Sequence, residues 1–206
     1  MTGNSSFRWY QLIAGVCLFS VLFTTSAFVV KPAAHSSGDA VKPLPLIADP
    51  QDSFPVPGGN ANQLFYLQRT TNLNTIVCEL NLTGKGVPDE EAPVHVFWIR
   101  YSEGGAKKEL NYIQRVFAYG IKSQATGNDT YKLHFVSYAK QVFTLMRSPK
   151  DNKFHVYATI NKRQAVLNRL FLKIDGGSFW SPNVVYMEMK GIDVLTGKET
   201  VERFKP

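Results

Sequence analysis

The feature that most constrains the fold is a succession of short extended segments beyond residue 60. Each is rich in apolar, aromatic or β-branched residues, and most are separated by short polar turns such as "GND" and "DGGSFWSP". Consecutive strands with few helices between them favour antiparallel pairing. We therefore predict a mainly β fold, an antiparallel β-sandwich or partly closed barrel of about nine strands with one short helix. The predicted strands are "NQLFYLQR", "NTIVCEL", "VHVFWIRY", "TYKLHFVSY", "QVFTLMRS", "KFHVYATI", "QAVLNRLFLKI", "NVVYMEMKG" and "KETVERF".

Two segments allow more specific predictions. The strand "VHVFWIRY", residues 94–101, carries apolar side chains on both faces, which predicts a central strand. In "AKKELNYIQRVFAYG", Leu110, Ile113 and Phe117 recur at helical spacing, and Gly120 is placed like a C-terminal cap. This segment is predicted to form the single helix.

The N-terminus has the pattern of an export signal. An apolar run, "LIAGVCLFSVLF", follows the single positive residue Arg8, and the small residues Thr25 and Ala27 come next. We predict a signal peptide over residues 1–27, cleaved after Ala27, and a periplasmic or secreted protein. The alternative is an uncleaved membrane anchor over residues 12–30, which contain no charge.

The remainder of the chain divides into a linker and one domain. Residues 28–60 are rich in Pro, Gly and Ser and are predicted to be a linker, whereas residues 61–206 are predicted to form a single β-rich domain. Cys78 is the one cysteine beyond the signal peptide, so an internal disulfide cannot hold the domain together. Its apolar context predicts a buried, unreactive thiol.

Positive charge is concentrated in the middle of the domain. Without residues 1–27 the chain has 22 Lys and Arg against 16 acidic residues, and residues 113–174 hold eleven Lys and Arg with only two acids. This asymmetry suits an anionic or carbohydrate ligand of the envelope. The alternative, which we favour, is that these are scattered surface lysines that protect sheet edges and keep the protein soluble. A nucleic-acid partner is disfavoured, because no compact basic motif is present.

Three histidines lie in separate predicted strands. If those strands were neighbours in register, His95, His134 and His155 could together bind zinc. The alternative, which we favour, is that they are ordinary half-exposed strand residues. We predict no metal and no cofactor.

A ligand site, if present, is expected at the polar rim where strand 94–101 ends. Two arginines would hold an anion, two aromatic rings would stack on a ligand ring, and a carboxylate would accept from a hydroxyl. These groups are Arg100 and Arg115, Tyr101 and Trp180, and Glu103, with His155 as a further candidate.

The leading functional hypothesis is a non-enzymatic ligand-binding or structural module. The alternative is an envelope-polymer hydrolase in which Glu103 and one of His95, His134 or His155 act as acid and base. None of the G-x-S-x-G, H-E-x-x-H or P-loop patterns is present. A lipid carrier would need a large apolar cavity inside the sheet.

Several long stretches resemble one family. The segments "EEAPVHVFWIRYSEGGAKKELNYIQRVFAYGIKS" and "SPKDNKFHVYATINKRQAVLNRLFLKIDGGSFWSPNV" are similar to the domain of unknown function 4833, exported bacterial proteins common in Bacteroidetes. "NQLFYLQRTTNLNTIVCELN" and "GIDVLTGKETVERFKP" extend the resemblance over nearly all of residues 54–206. The resemblance implies a signal peptide, one exported domain and an envelope setting. It implies no catalytic residues.

Overall fold

The computed structural model describes residues 54–206. This part of the chain is mainly β, as predicted, with eleven strands, one 3₁₀ turn at Tyr101–Glu103 and one α-helix, α1, at Tyr112–Phe117. The strands are β1 Gln63–Arg69, β2 Asn72–Leu80, β3 Val94–Arg100, β4 Ala106–Glu109, β5 Ile121–Gly127, β6 Thr130–Phe135, β7 Tyr138–Arg147, β8 Phe154–Ile160, β9 Arg163–Gly177, β10 Pro182–Asp193 and β11 Glu199–Phe204.

The long strand β9 organises the sheet. One edge of β9 pairs with β10 along its length, and the other edge pairs first with β8 and then with β1. Two meanders, β1–β4 and β5–β8, therefore diverge from the same edge of β9. The result is a single sheet that curls into a half-barrel, which confirms the partly closed barrel. The β1–β9 pairing is parallel, whereas every other strand pair is antiparallel.

One irregularity in the pairing of β9 with β10 lies at Gly191. Arg169 pairs with Lys190 but Leu167 pairs with Gly191, so β9 has one extra residue at this point. A Cβ on Gly191 would lie 2.4 Å from the carbonyl oxygen of Val166, so the two backbones can approach only because this residue is glycine.

The core fills the space enclosed by the curled sheet. Phe65 of β1 contacts the rings of Phe135 and Phe143 on the opposite meander, at centroid distances of 6.2 and 6.0 Å. Leu133 and Leu167 are fully buried beside them. The predicted central strand is confirmed, because β3 lies between β2 and β4 and its neighbouring residues Phe97 and Trp98 are only 3% and 4% exposed.

The prediction for residues 106–120 was wrong at its beginning. Residues 106–109 form β4, in which Lys108 pairs with Trp98, so pairing with β3 overrides the helical preference of "AKKE". The helix begins only after Asn111, whose side chain accepts from the Gln114 backbone N–H while the Gln114 side chain accepts from the Asn111 N–H. Strand β5 was also missed, because "IKSQATG" is mostly polar and its last residues are exposed.

The predicted roles of the helix residues also change. Leu110 is buried but precedes the helix, whereas Ile113 and Phe117 are exposed rather than packed. Gly120 is not a left-handed cap: Ala118 caps the helix, and a Cβ on Gly120 would lie 1.9 Å from the carbonyl oxygen of Arg115. Glycine is needed there for close approach of two backbone segments.

The chain just before β1 packs against the sheet. The Phe54 ring meets Phe171 edge-on at 5.4 Å, and the Gln68 amide donates to the carbonyl oxygen of Pro55 at 2.8 Å. The predicted signal peptide, the alternative anchor and the linker up to residue 53 lie outside the described residues. Within residues 54–206, no helix is long and apolar enough to cross a membrane.

Candidate functional site

A small polar depression lies where the β1–β2 turn meets the end of β3. We call it the arginine depression, and its volume is about 130 Å³. Two arginines, three carboxamides and an indole line it, and none of the six residues is acidic. They are Arg69, Asn72, Asn74, Trp98, Arg100 and Gln114.

The surrounding hydrogen bonds fix this end of the sheet. Thr70, next to Arg69, is held to β9, because its hydroxyl donates to the Ile174 carbonyl oxygen at 2.7 Å and accepts from the Ile174 N–H at 2.8 Å. The Asn74 side-chain oxygen accepts from the backbone N–H and the hydroxyl of Ser102. These contacts tie the β1–β2 turn to β9 on one side and to the 3₁₀ turn on the other.

The carboxamide oxygens of the arginine depression are already engaged. The Asn72 oxygen accepts from the Asn74 N–H at 2.8 Å, and the Gln114 oxygen accepts from the Trp98 indole N–H at 3.2 Å. Asn74 is bound to Ser102 in the same way. What each of these amides can still offer a ligand is its NH₂ donor.

Arg69 is the least satisfied cation of the group. Its guanidinium carbon lies 5.9 Å from the Trp98 ring centroid and 5.7 Å from that of Tyr119, so two aromatic rings support it. Its Nε is buried and has no hydrogen-bond partner among the described residues. A buried donor without an acceptor is costly. The Arg69 side chain is half-buried and lines the depression, so an added acceptor can reach the guanidinium from there.

Arg100 is partly engaged by the fold. Its Nη1 donates to Glu103 at 2.5 Å, and Lys108 donates to the other oxygen of Glu103 at 2.6 Å. The hydrogen bonds from Lys108 and Arg100 lower the pKa of Glu103, so this carboxylate is ionised near neutral pH. Tyr101 lies in the same 3₁₀ turn, and burial raises its pKa.

The six predicted site residues do not form one site. Arg100, Tyr101 and Glu103 lie together, but Arg115 donates to the Leu110 carbonyl oxygen and lines a different cleft, between β3 and β5. Trp180 is 66% exposed in the turn between β9 and β10 and contacts Phe117 at 5.6 Å. The anion clamp formed by Arg100 and Arg115 is therefore not assembled, since the second arginine in the depression is Arg69.

His155 lies in a groove on the far meander. Its Nε2 is 2.8 Å from Asp151. His155 and Asp151 line two clefts, an apolar one of about 440 Å³ and a more polar one of about 510 Å³. The His155 hydrogen bond and the Lys153 backbone N–H lower the pKa of Asp151 to about 2. His155 and Asp151 could therefore contact a polar group of a ligand. Glu103, which the hydrolase hypothesis pairs with a histidine, lines neither cleft.

The histidines are not positioned for a shared metal. His95 lies on β3, His134 on β6 and His155 on β8, and no two of these strands are neighbours in the sheet. In residues 54–206 no three His, Cys, Asp or Glu side chains converge as metal ligands. The condition on which the zinc hypothesis depended is therefore not met.

His95 is instead part of an ion network with Glu79 and Glu109. Its Nδ1 and Nε2 lie 2.9 and 2.8 Å from the two carboxylates, and Lys107 also bonds Glu79 at 3.0 Å. Burial lowers the pKa of His95, but the hydrogen bonds and charges of Glu109 and Glu79 outweigh it, and the net direction is upward. Cys78, as predicted, is buried, and burial raises the pKa of its thiol.

The comparisons with known proteins identify the family. The model of a domain of unknown function, DUF4833, matches residues 65–203, which is most of the described chain. The chain belongs to the DUF4833 family. No curated protein and no solved structure matches it. The DUF4833 match begins within β1, ends within β11 and includes every residue of the arginine depression.

Sequence reasoning missed Arg69, Asn72, Asn74 and Gln114. They belong to three elements, and only the register of β1, β2 and β3 brings the first three beside Arg100. The one available signal was the polar turn "RTTN" at the predicted first hairpin. It does not indicate which strand end lies beside it.

Proposed function

We propose that this DUF4833 domain is a non-enzymatic binding module of the bacterial envelope, and that the arginine depression binds one anionic group of its ligand. The group is a carboxylate, phosphate or sulfate. The observation that carries the proposal is Arg69, whose buried Nε has no acceptor among the described residues although its guanidinium is held against two rings.

The chemistry of the lining supports an anion rather than a neutral ligand. Two guanidinium groups and three carboxamide NH₂ groups provide donors, and the carboxamide oxygens of Asn72, Asn74 and Gln114 are already bonded. Hydrogen bonds from arginine to an anion are charge-assisted and stronger than those between neutral groups. The volume of about 130 Å³ admits one such group, while the rest of the ligand would remain outside.

The arrangement gives less support to the hydrolase alternative. Glu103 is bonded to Arg100 and Lys108, and its lowered pKa keeps it ionised, which does not suit a general acid. His95 bonds two other glutamates, and His155 bonds Asp151. A lipid carrier is disfavoured too, because Phe65, Phe135 and Phe143 meet in the space that a lipid would need.

The proposal can be tested by titrating the full chain with sodium sulfate, phosphate and acetate at constant ionic strength. The arginine Nε–H signals would be followed by nitrogen-15 NMR, with Arg69 and Arg100 assigned by their loss in Arg69→Gln and Arg100→Gln. Binding to each variant would be followed at the signal of the arginine that remains. We expect a saturable shift of the Arg69 signal with at least one of the three anions. Arg69→Gln and Arg100→Gln should each weaken binding about tenfold or more, because each removes a charge-assisted hydrogen bond.

The matched control is Lys140→Gln, which removes the same unit of charge at an exposed position of β7. It should leave the affinity unchanged. If the three variants respond alike, the shift reports nonspecific screening and the proposal is wrong. It is equally wrong if the Arg69 signal of the unmodified protein does not respond to any of the three anions.

A further inference from the structure

An exposed apolar surface lies on α1 and on the turn between β9 and β10. We call it the aromatic surface. The helix buries none of its six residues, which is unusual for an element with four large apolar side chains. The members of the surface are Tyr112, Ile113, Val116, Phe117, Phe179 and Trp180.

The two elements form one continuous surface. The Trp180 ring lies 5.6 Å from Phe117 and 5.0 Å from Phe179, edge-on in both cases. Ile113, Val116 and Phe117 follow the i, i+3, i+4 spacing of a single helix face. Tyr112 and Trp180 are 73% and 66% exposed, so these side chains protrude from the domain and do not line a groove.

We propose that the aromatic surface docks the domain onto a lipid bilayer that contains anionic headgroups. Membrane–water interfaces favour Trp and Tyr, because their rings enter the acyl boundary while their polar atoms stay at headgroup level. Phe side chains add apolar area to such surfaces. Contiguous exposed apolar side chains on a soluble domain mark an interaction surface.

Charge complementarity points to an anionic membrane. Gln114 of α1 lines the arginine depression, so the helix that carries the aromatic surface also borders Arg69 and Arg100. Helix α1 itself carries Arg115 and no acidic residue. A lipid phosphate could occupy the depression while the neighbouring rings enter the bilayer. For this headgroup contact the inference rests on the proposed function, whereas the insertion of the rings does not.

A second copy of the chain fits the surface less well. Stable protein interfaces use about 20–30 residues on each side. The aromatic surface has six residues on two short elements. The positive net charge of the chain would also repel an identical partner at low salt.

The test is depth-resolved fluorescence of Trp180 on vesicles. Among the described tryptophans, Trp98 is buried and Trp180 is exposed, so the full chain carrying Trp9→Phe reports mainly on Trp180. One set of vesicles would contain phosphatidylethanolamine and phosphatidylglycerol, with bromines on the acyl chains to quench inserted tryptophan. The comparison set would contain brominated phosphatidylcholine, which has no net charge. We expect a blue shift and quenching of Trp180, stronger with phosphatidylglycerol.

Two variants of the aromatic surface should bind vesicles more weakly. Phe117→Ser and Phe179→Ser should each lower the vesicle affinity reported by the Trp180 signal about tenfold, because each removes one aromatic side chain from the bilayer. Leu195→Ser is the matched control, since Leu195 is highly exposed and lies outside the aromatic surface. Circular dichroism of the variants would establish that all three are folded.

The outcomes separate this inference from the proposed function. Vesicle-bound protein whose Trp180 is neither shifted nor quenched overturns the docking, even if phosphate binds Arg69. Quenching of Trp180 without any anion binding at Arg69 overturns the proposed function and leaves the insertion of the rings intact. A concentration-dependent blue shift without lipid, accompanied by dimers in sedimentation, identifies a second copy as the occupant and also overturns the docking.

Discussion

Two places in this domain bring a pair of arginines together, and they differ in what lies between the arginines. On β9, β10 and β11, Arg169 and Arg203 bond the two oxygens of Glu188 at 2.7 and 2.6 Å. In the arginine depression, Arg69 and Arg100 line a volume with no acidic residue, and of these two arginines it is Arg100 that Glu103 bonds. Both arginines of the first pair are bonded to one carboxylate of the fold, whereas in the second pair Arg69 can still take an external acceptor.

This difference separates a structural ion cluster from a binding site. Glu188 is only 2% exposed, and a buried charge must be paired and hydrogen-bonded if the fold is to tolerate it. Arg69 is partly exposed and rests on aromatic rings, so its charge is tolerable without a carboxylate. Removing the charge of Glu188 should therefore lower the unfolding free energy, whereas removing that of Arg69 should lower the affinity for a ligand.

The largest effect is expected from Glu188→Gln. It removes the charge of a carboxylate that is only 2% exposed and is bonded by two arginines, and breaking a buried pair from one side costs about 3–5 kcal/mol. Urea denaturation followed by circular dichroism would measure the loss. Glu199→Gln is the control, because the exposed pair of Glu199 with Lys190 should contribute less than about 1 kcal/mol. Equal losses in the two variants would contradict the distinction.

A smaller effect is expected from Arg69→Gln. The substitution removes a cation that rests on Trp98 and Tyr119, which is worth about 0.5–1 kcal/mol, and it also removes a buried donor without an acceptor. The unfolding free energy should therefore change by less than about 1 kcal/mol, while anion binding is lost. A loss as large as that of Glu188→Gln would make Arg69 a structural residue, and the comparison would fail.

The sequence predicted the strands better than the site, and particular residues explain why. The apolar character of both faces of "VHVFWIRY" is a local property, and it correctly placed Phe97 and Trp98 in the interior. The helix boundary was wrong because pairing between Lys108 and Trp98 is not encoded in the local pattern of "AKKE". The site was harder still, since Arg69 and Arg100 are adjacent only through the register of three strands.

Glu103→Gln sharpens the account of the arginine depression. Glu103 competes with a ligand for Arg100, so its neutralisation should raise the affinity for sulfate or phosphate by about two- to fivefold, the range of an exposed ion pair. Titration calorimetry of both proteins would measure the ratio. Because hydrogen bonds from Lys108 and Arg100 lower the pKa of Glu103, the ratio measured with sulfate, whose charge does not change in this range, should be constant from pH 6 to pH 8. An unchanged affinity would mean that Arg100 contributes little to the site.

The smallest effect is expected at His95, because the net charge of its ion network changes when the imidazole loses its proton. Glu79 and Glu109 face the imidazole, Lys107 bonds Glu79, and these groups together raise the pKa of His95 above its usual value near 6.5. A group with a raised pKa in the folded state stabilises it fully below the unfolded pKa, and this contribution is lost as the pH rises through the folded value. Stability should therefore fall from pH 6 to pH 8 by less than about 1 kcal/mol, because water screens the partly exposed pair. His95→Gln should remove this slope in urea denaturation at several pH values, and a slope that persists would place the titrating group elsewhere.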